Sequence, residues 1–283
     1  MTYKSAPFLI ISTFVISLFA NAQVEMATPR EVNQFFNTQT LIVKHGRPFS
    51  FFNTYIENAA QKSWQITPYR IIEASAFNEK RQNSAYSFLI ISDASISIRR
   101  QETIVEMLNI VLGKRGRDIN DMPDLGSVPL VYKGDDEDKY LHKLPALLRF
   151  IQYQIQVIAD NQISSPRELI NDHNNFTHLV KTKQLWLTPE DLSDNIKTEN
   201  SIRQIYGHDF KIVDRDKLEK AIENAEDILF VHTVAPYENN YRGRVWKFIL
   251  SAKSGQVYYM DEHVAGGKHE TGLKPSDFEA LAQ

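Results

Sequence analysis

Phe210-Lys211-Ile212-Val213-Asp214-Arg215-Asp216-Lys217-Leu218-Glu219-Lys220-Ala221-Ile222-Glu223-Asn224 is the stretch on which the fold turns. Residues 210–213 read as a short strand. Asp214-Arg215-Asp216 then opens a helix, with Asp216 as N-cap and Glu219 three residues later in a capping-box arrangement. Leu218 and Ile222 stand at i and i+4, on one face of that helix. Upstream, 185–187 is a short apolar strand followed by helical sequence at 199–206. Downstream, 228–234 is a continuous apolar run rich in branched residues, the pattern of a strand buried on both faces. Residues 244–251 and 256–261 flank Ala252-Lys253-Ser254-Gly255, a hairpin turn with a glycine available for positive φ. Strand–helix–strand followed by a hairpin predicts an α/β unit.

The N-terminal half repeats this order. Strands are expected at 40–43, 69–72, 86–91, 103–112 and 128–132, and helices at 51–63 and 75–81. An ungapped shift of 141 residues lays Tyr69 on Phe210, the N-cap Ser75 on Asp216, and Phe88, Leu89 and Ile90 on Leu229, Phe230 and Val231. The expected core is Ile71, Ile72, Phe88 and Ile90 in the first repeat, and Ile212, Val213, Leu229 and Val231 in the second. Between the repeats, Leu144, Leu147, Leu148, Ile151, Ile155 and Ile158 recur at helical spacing, with Pro145 starting or kinking a long amphipathic helix. Pro166 and the polar residues 171–175 read as a linker. The fold class expected is α/β, two related strand–helix–strand repeats with hairpins joined by a long amphipathic helix. Its divisions are a signal peptide 1–22, a first repeat 23–133, a connector 134–184 and a second repeat 185–283.

The chain has 283 residues, 42% hydrophobic and 24% charged, which excludes a disordered tail and a polytopic membrane protein. Its 32 Lys and Arg against 35 Asp and Glu leave a charge of −3, so nothing draws the whole chain to nucleic acid. The sequence contains no cysteine, which removes disulfides, thiol nucleophiles and Cys-ligated zinc. Lys4, the apolar residues 8–19 and Ala20-Asn21-Ala22 form a secretory signal peptide with small residues at −3 and −1. A cleaved chain beginning at Gln23, without a lipidated cysteine or an integral membrane segment, is expected in the periplasm or outside the cell.

The run 210–224 resembles the second strand and helix of the small α/β domain found in the N-terminal part of TolB, in the curli secretion lipoprotein CsgG and in activators of penicillin-binding proteins. The resemblance covers roughly residues 185–262 and, more faintly, 40–132. It implies a scaffold or adaptor at the cell envelope, although the absence of a cysteine departs from the lipoprotein members. The segments Trp64-Gln65-Ile66-Thr67-Pro68-Tyr69, Asp118-Ile119-Asn120-Asp121-Met122-Pro123 and Asp136-Glu137-Asp138-Lys139-Tyr140 resemble a group of secreted proteins from Bacteroidota. That likeness implies a compartment and a two-repeat layout, and no reaction.

Motifs for catalysis are sparse. Gly113-Lys114-Arg115-Gly116 lacks P-loop spacing, and no Gly-x-Ser-x-Gly elbow occurs. His173 and His178 are five apart in the polar linker, His232 ends a buried strand, and His263, His269 and Glu270 flank Gly266-Gly267 as a remote chelating possibility. Asp118, Asn120, Asp121 and Asp124 lack the glycine and distal glutamate of a Ca²⁺ loop. No catalytic residue, cofactor or metal ligand is assigned. The loop 113–124 and the helix start 134–140 are instead expected to form one partner-binding surface. Its candidate residues are Arg115, Arg117, Asp121, Asp135, Asp136 and Asp138, with Tyr132 and Tyr140 as aromatic anchors. The function expected is a non-catalytic binding or scaffolding role toward an envelope or periplasmic protein. A metal-assisted hydrolase using the acidic loops is the alternative.

Overall fold

The computed structural model describes residues 26–47, 50–98, 101–116, 119–236, 243–265 and 271–283. The expected signal peptide lies outside the described residues. Helix α1 (Pro29–Phe35) is opened by a Thr28/Glu31 capping box with proline in the first turn. The first repeat follows as β1 (Gln39–Val43), α2 (Phe52–Ser63), β2 (Tyr69–Ile72), a one-turn α3 (Phe77–Lys80), β3 (Tyr86–Ile98), β4 (Gln101–Leu112) and β5 (Asp124–Tyr132). These strands form a sheet in the order β2-β1-β3-β4-β5, with β1 parallel to β2 and β3 and the remaining pairs antiparallel.

Helices α4 (Asp138–Leu141), α5 (Leu144–Asn161) and α6 (Pro166–Asn174) connect to the second repeat. That repeat comprises β6 (Leu185–Leu187), α7 (Glu199–Arg203), β7 (Phe210–Ile212), α8 (Arg215–Glu223), β8 (Leu229–Val234), β9 (Arg244–Ser251) and β10 (Val257–Val264), with α9 (Pro275–Ala282) closing the chain. Its sheet, β7-β6-β8-β9-β10, repeats the order and strand senses of the first. Even the irregularity recurs. Ile110 faces Gly126 and Val111 faces Asp124, skipping Leu125, while Ile249 faces Tyr259 and Leu250 faces Val257, skipping Tyr258.

Register refines the expected correspondence. Thr40 pairs with Tyr69 and Ser87, and Leu185 pairs with Phe210 and Leu229. Tyr69 and Phe210 are therefore counterparts, as the ungapped shift has them, but Leu229 corresponds to Ser87 rather than Phe88. The second repeat carries one more residue between its second and third strands, where α8 runs to nine residues and its counterpart α3 to four. With a side-chain period of two, that one-residue slip would have exchanged the two faces of β8. The caps also move. Asp214, not Asp216, is the N-cap of α8 and accepts from the Lys217 amide at 2.7 Å. Its counterpart Glu73, not Ser75, caps a turn of 3-10 helix at Ala74–Ala76, without a side-chain bond. Asp214→Ala is expected to cost about 1 kcal/mol, read as a lower urea midpoint at unchanged slope.

Of the expected core, Phe88, Val213, Leu229 and Val231 are buried, whereas Ile71, Ile72, Ile90 and Ile212 are only half-buried. Ile71, Ile72 and Ile212 lie on β2 and β7, which are edge strands and so have a neighbour on one side only. The polar "linker" is also corrected: residues 166–174 form α6, opened by Ser165 and Pro166, with Leu169 and His173 turned inward.

Helix α5 joins the halves. Pro145 sits in its first turn and starts it without a kink. Gln152 accepts from the Gln65 and Ile66 amides and donates to Ser63 O, closing the end of α2. Arg149 reaches the second repeat, donating to Ile222 O at 2.9 Å and Ala252 O at 2.7 Å. One apolar cluster passes through both repeats, from Phe35, Ile56 and Leu108 to Phe230, Trp246 and Phe248. The outer edge of β10 is met by Asn174, whose amide accepts from Met260 N at 2.8 Å and donates to Met260 O at 3.1 Å.

Candidate functional site

The seven described residues of the eight singled out from sequence do not form one surface. Arg115 and Asp121 are exposed beside Glu31 and Lys114 in an open groove of about 750 Å³. Arg117, with Asp118, lies outside the described residues. Asp135, Asp136 and Asp138 follow the other end of β5, nine residues on, a separation of about 27 Å at strand rise. The acidic clusters considered for a metal-assisted reaction are parted by the same distance. Asp124, the last of the loop's acids, is inside β5, accepting from Gly126 N and Ser127 Oγ. Burial raises its pKa to about 6.

The two aromatic anchors are corrected as well. Tyr132 is buried, its hydroxyl donating to Arg244 O at 2.7 Å, and its pKa is pushed up to about 12 by burial. Tyr140 is fully buried and its pKa is raised for the same reason. Both rings fill the core around α4 and β5 and present no contact surface to a partner.

What the fold assembles instead is a cleft of about 240 Å³ between the repeats. Strand β6 is the centre from which the chain winds to β7 on one side and β8 on the other, and crevices at such switch points, outside the strand carboxyl ends, are where open α/β sheets bind ligands. Glu190 and Asp191 follow β6, Arg215 is the first residue of α8 after β7, Thr233 and Val234 end β8, and Ala235 and Pro236 follow it. The first repeat contributes Leu130 and Val131 from β5, and the connector contributes Asp135, Lys139 and Lys143. Of the described residues anticipated from sequence, Asp135 alone reaches this cleft.

The charges there are arranged in pairs. Asp191, 2% exposed, accepts from Thr188 N and Thr188 Oγ1 at 2.8 Å each, and Lys143 Nζ lies 3.5 Å from its other oxygen. Burial raises the Asp191 pKa against the opposing pull of Lys143. Lys139 bridges Asp135 at 2.8 Å. Arg215 holds Glu190 at 3.2 Å. Burial would lift Glu190, but hydrogen bonds from its own backbone and Arg215, with the nearby cations, bring it below its ordinary value. Two imidazoles lie near enough to Lys143 to feel its charge. His142 is pushed down to about 2 and His232 to about 3, both mainly by burial and further by the Lys143 charge. His232 Nε2 lies 2.8 Å from Pro129 O, tying β8 to β5.

The remaining histidines are dispersed. His173 is buried in α6, near Tyr153 and Phe150, with its pKa lowered to about 4 by burial. His263 Nδ1 is 2.8 Å from Asp261, while His269 and Glu270 lie outside the described residues. Among the described residues, no three His, Asp or Glu side chains are placed to hold one metal ion, and no helix is long and apolar enough to cross a membrane.

Sequence reasoning missed Lys143, Glu190, Asp191, Arg215 and Thr233 as a group. A signal was present: Thr188-Pro189-Glu190-Asp191 and Asp214-Arg215-Asp216 each follow directly on a short apolar strand, the location of ligand-binding loops in α/β sheets. Comparison with known proteins found no matching family model, no matching curated protein and no matching solved structure.

Proposed function

We propose that the protein is an exported, non-catalytic binding or scaffolding protein of the periplasm or cell envelope, acting by protein–protein contact, with the cleft between its repeats as the point of engagement. The observation that supports this reading is the state of the ionisable groups there. Asp135, Glu190 and Asp191 each already have a donor. The neighbouring imidazoles, at about 2 and 3, are far from the near-neutral pKa an efficient general base needs. Such preformed pairs suit recognition, in which a partner's charges exchange for existing ones, better than proton transfer.

The test is site-specific photocross-linking in the native envelope, with the reactive side chain at position 215 and, as control, at Arg70 on the exposed face of β2. A discrete adduct from position 215, absent from position 70 and lost on Glu190→Lys, is expected. Equal labelling at both positions rejects engagement at the cleft. Turnover of ester, peptide or phosphoester substrates that disappears with Asp191→Asn rejects the non-catalytic role.

A further inference from the structure

The cleft is electrically balanced in an unusual way. Three cations, Lys139, Lys143 and Arg215, face three anions, Asp135, Glu190 and Asp191, within about 240 Å³. A simple anion entering there would have to displace carboxylates, and a simple cation would have to displace ammonium groups. An occupant carrying one charge of each sign exchanges partners without changing the charge of the site.

Two buried groups show where the negative end would go. Lys143 is 3% exposed and has three N–H donors. Its contact with the Asp191 carboxylate is long at 3.5 Å, and the residue lines the cleft. Thr233 Oγ1 is buried without a hydrogen-bond partner among the described residues, and it lines the same space. A buried hydroxyl left unsatisfied is destabilising, and a ligand oxygen would relieve that cost. In the same cleft, Glu190 and Asp135 offer carboxylates whose present partners, Arg215 and Lys139, are about half exposed and long enough to swing into solvent. The wall between is apolar, formed by Val131, Val234 and Pro236.

We infer that the cleft binds a small zwitterion, a free amino acid or short peptide with a small aliphatic side chain. Its carboxylate sits at Lys143 and Thr233, its ammonium at Glu190 and Asp135, and its side chain against Val131, Val234 and Pro236. This rests on the binding reading of the cleft and names its ligand class. The volume admits a residue or two of extended peptide.

Isothermal titration of the chain beginning at Gln23 provides the test, with L-alanyl-L-alanine, its N-acetyl form, its C-terminal amide and L-valine as probes. Saturable one-to-one binding of the free dipeptide or of L-valine is expected. Blocking either dipeptide terminus should weaken binding by about tenfold or more, the loss of one charge-assisted contact. Thr233→Val and Glu190→Gln, which preserve side-chain shape, should weaken it with unchanged thermal midpoints. Absence of binding by both unblocked probes at millimolar concentration overturns the inference, as does equal binding of blocked and free dipeptides. If the cross-link at position 215 forms while the titration is silent, the inference fails and protein engagement stands. If the dipeptide binds and is released as alanine, the ligand class stands and the non-catalytic reading fails.

Discussion

Acidification from pH 7.5 to 5 removes several kcal/mol of folding stability, read as a steep fall in the urea midpoint. The cause is three buried imidazoles, His142, His173 and His232, lowered from the ordinary 6.5 to about 2, 4 and 3. Native protein keeps them neutral while the unfolded chain protonates them. Their contribution is therefore complete above pH 6.5 and is lost as pH falls toward the native values. At pH 5 each costs about 2 kcal/mol, some 6 kcal/mol together. Asp124, raised to about 6, acts in the opposite sense and returns about 1–2 kcal/mol at pH 5. Asp191, also raised, opposes the loss too. Carboxylates held low, such as Asp261 and Glu31, matter only below the unfolded carboxylate range. Against the 5–15 kcal/mol typical of whole domains, the net loss is large. His173→Leu should flatten the profile and stabilise at every pH, because both His173 ring nitrogens are buried without a hydrogen-bond partner among the described residues. A midpoint unchanged between pH 7.5 and 5 would contradict the burial of these rings.

Gly255→Val is expected to destabilise by more than about 4 kcal/mol, or to prevent folding. Gly255 has φ +74°, which penalises any branched side chain. The greater penalty is steric: a Cβ there would lie 2.2 Å from Arg149 C and Phe150 N, main-chain atoms of α5. A helix backbone has no rotamer with which to step aside. The turn would be driven off α5, breaking the Arg149 bond to Ala252 O that joins the repeats. Gly134 supplies the control. Its φ is +97°, but nothing lies within 4 Å of the corresponding Cβ, so Gly134→Ala should cost only the backbone penalty of about 1–2 kcal/mol. Urea unfolding of both variants separates strain from collision. Comparable losses at the two positions would show that contact between turn and helix is not what holds the halves together.

The elements that sequence made legible are those whose signal is local. The branched run of β8, the glycine turn before β10 and the apolar stripe of α5 each carry their pattern within a dozen residues, and the repeat of sheet order follows from them. The one-residue slip between the repeats was hidden because α3 and α8 differ in length while the flanking strands look alike. Helix α6 was hidden because its inward face amounts to Leu169 and His173, and a histidine reads as polar until the fold encloses it. Tyr132 and Tyr140 illustrate the same limit, since beside charged residues nothing local distinguishes a surface ring from a buried one. The cleft was least legible of all. Its parts come from β5, the connector, β6, α8 and β8, and tertiary pairing alone brings them together.

Asn174 and Met260 bear on how one edge of the second sheet is closed. A sheet ends in a row of unspent amides and carbonyls, and any extended chain of matching spacing can lengthen it, whether a neighbour's strand or a copy of the same one. At Met260 both groups are already taken by one side-chain amide, delivered from a helix rather than a strand. A helix offers no further edge, so the ladder terminates there instead of passing its template outward. An incoming strand could align with one side of Met260 or the other, but it would have to interrupt its pairing at that residue. The β10 edge of the second sheet is in this sense plugged at Met260 by a residue that adds nothing to the sheet's own strand count.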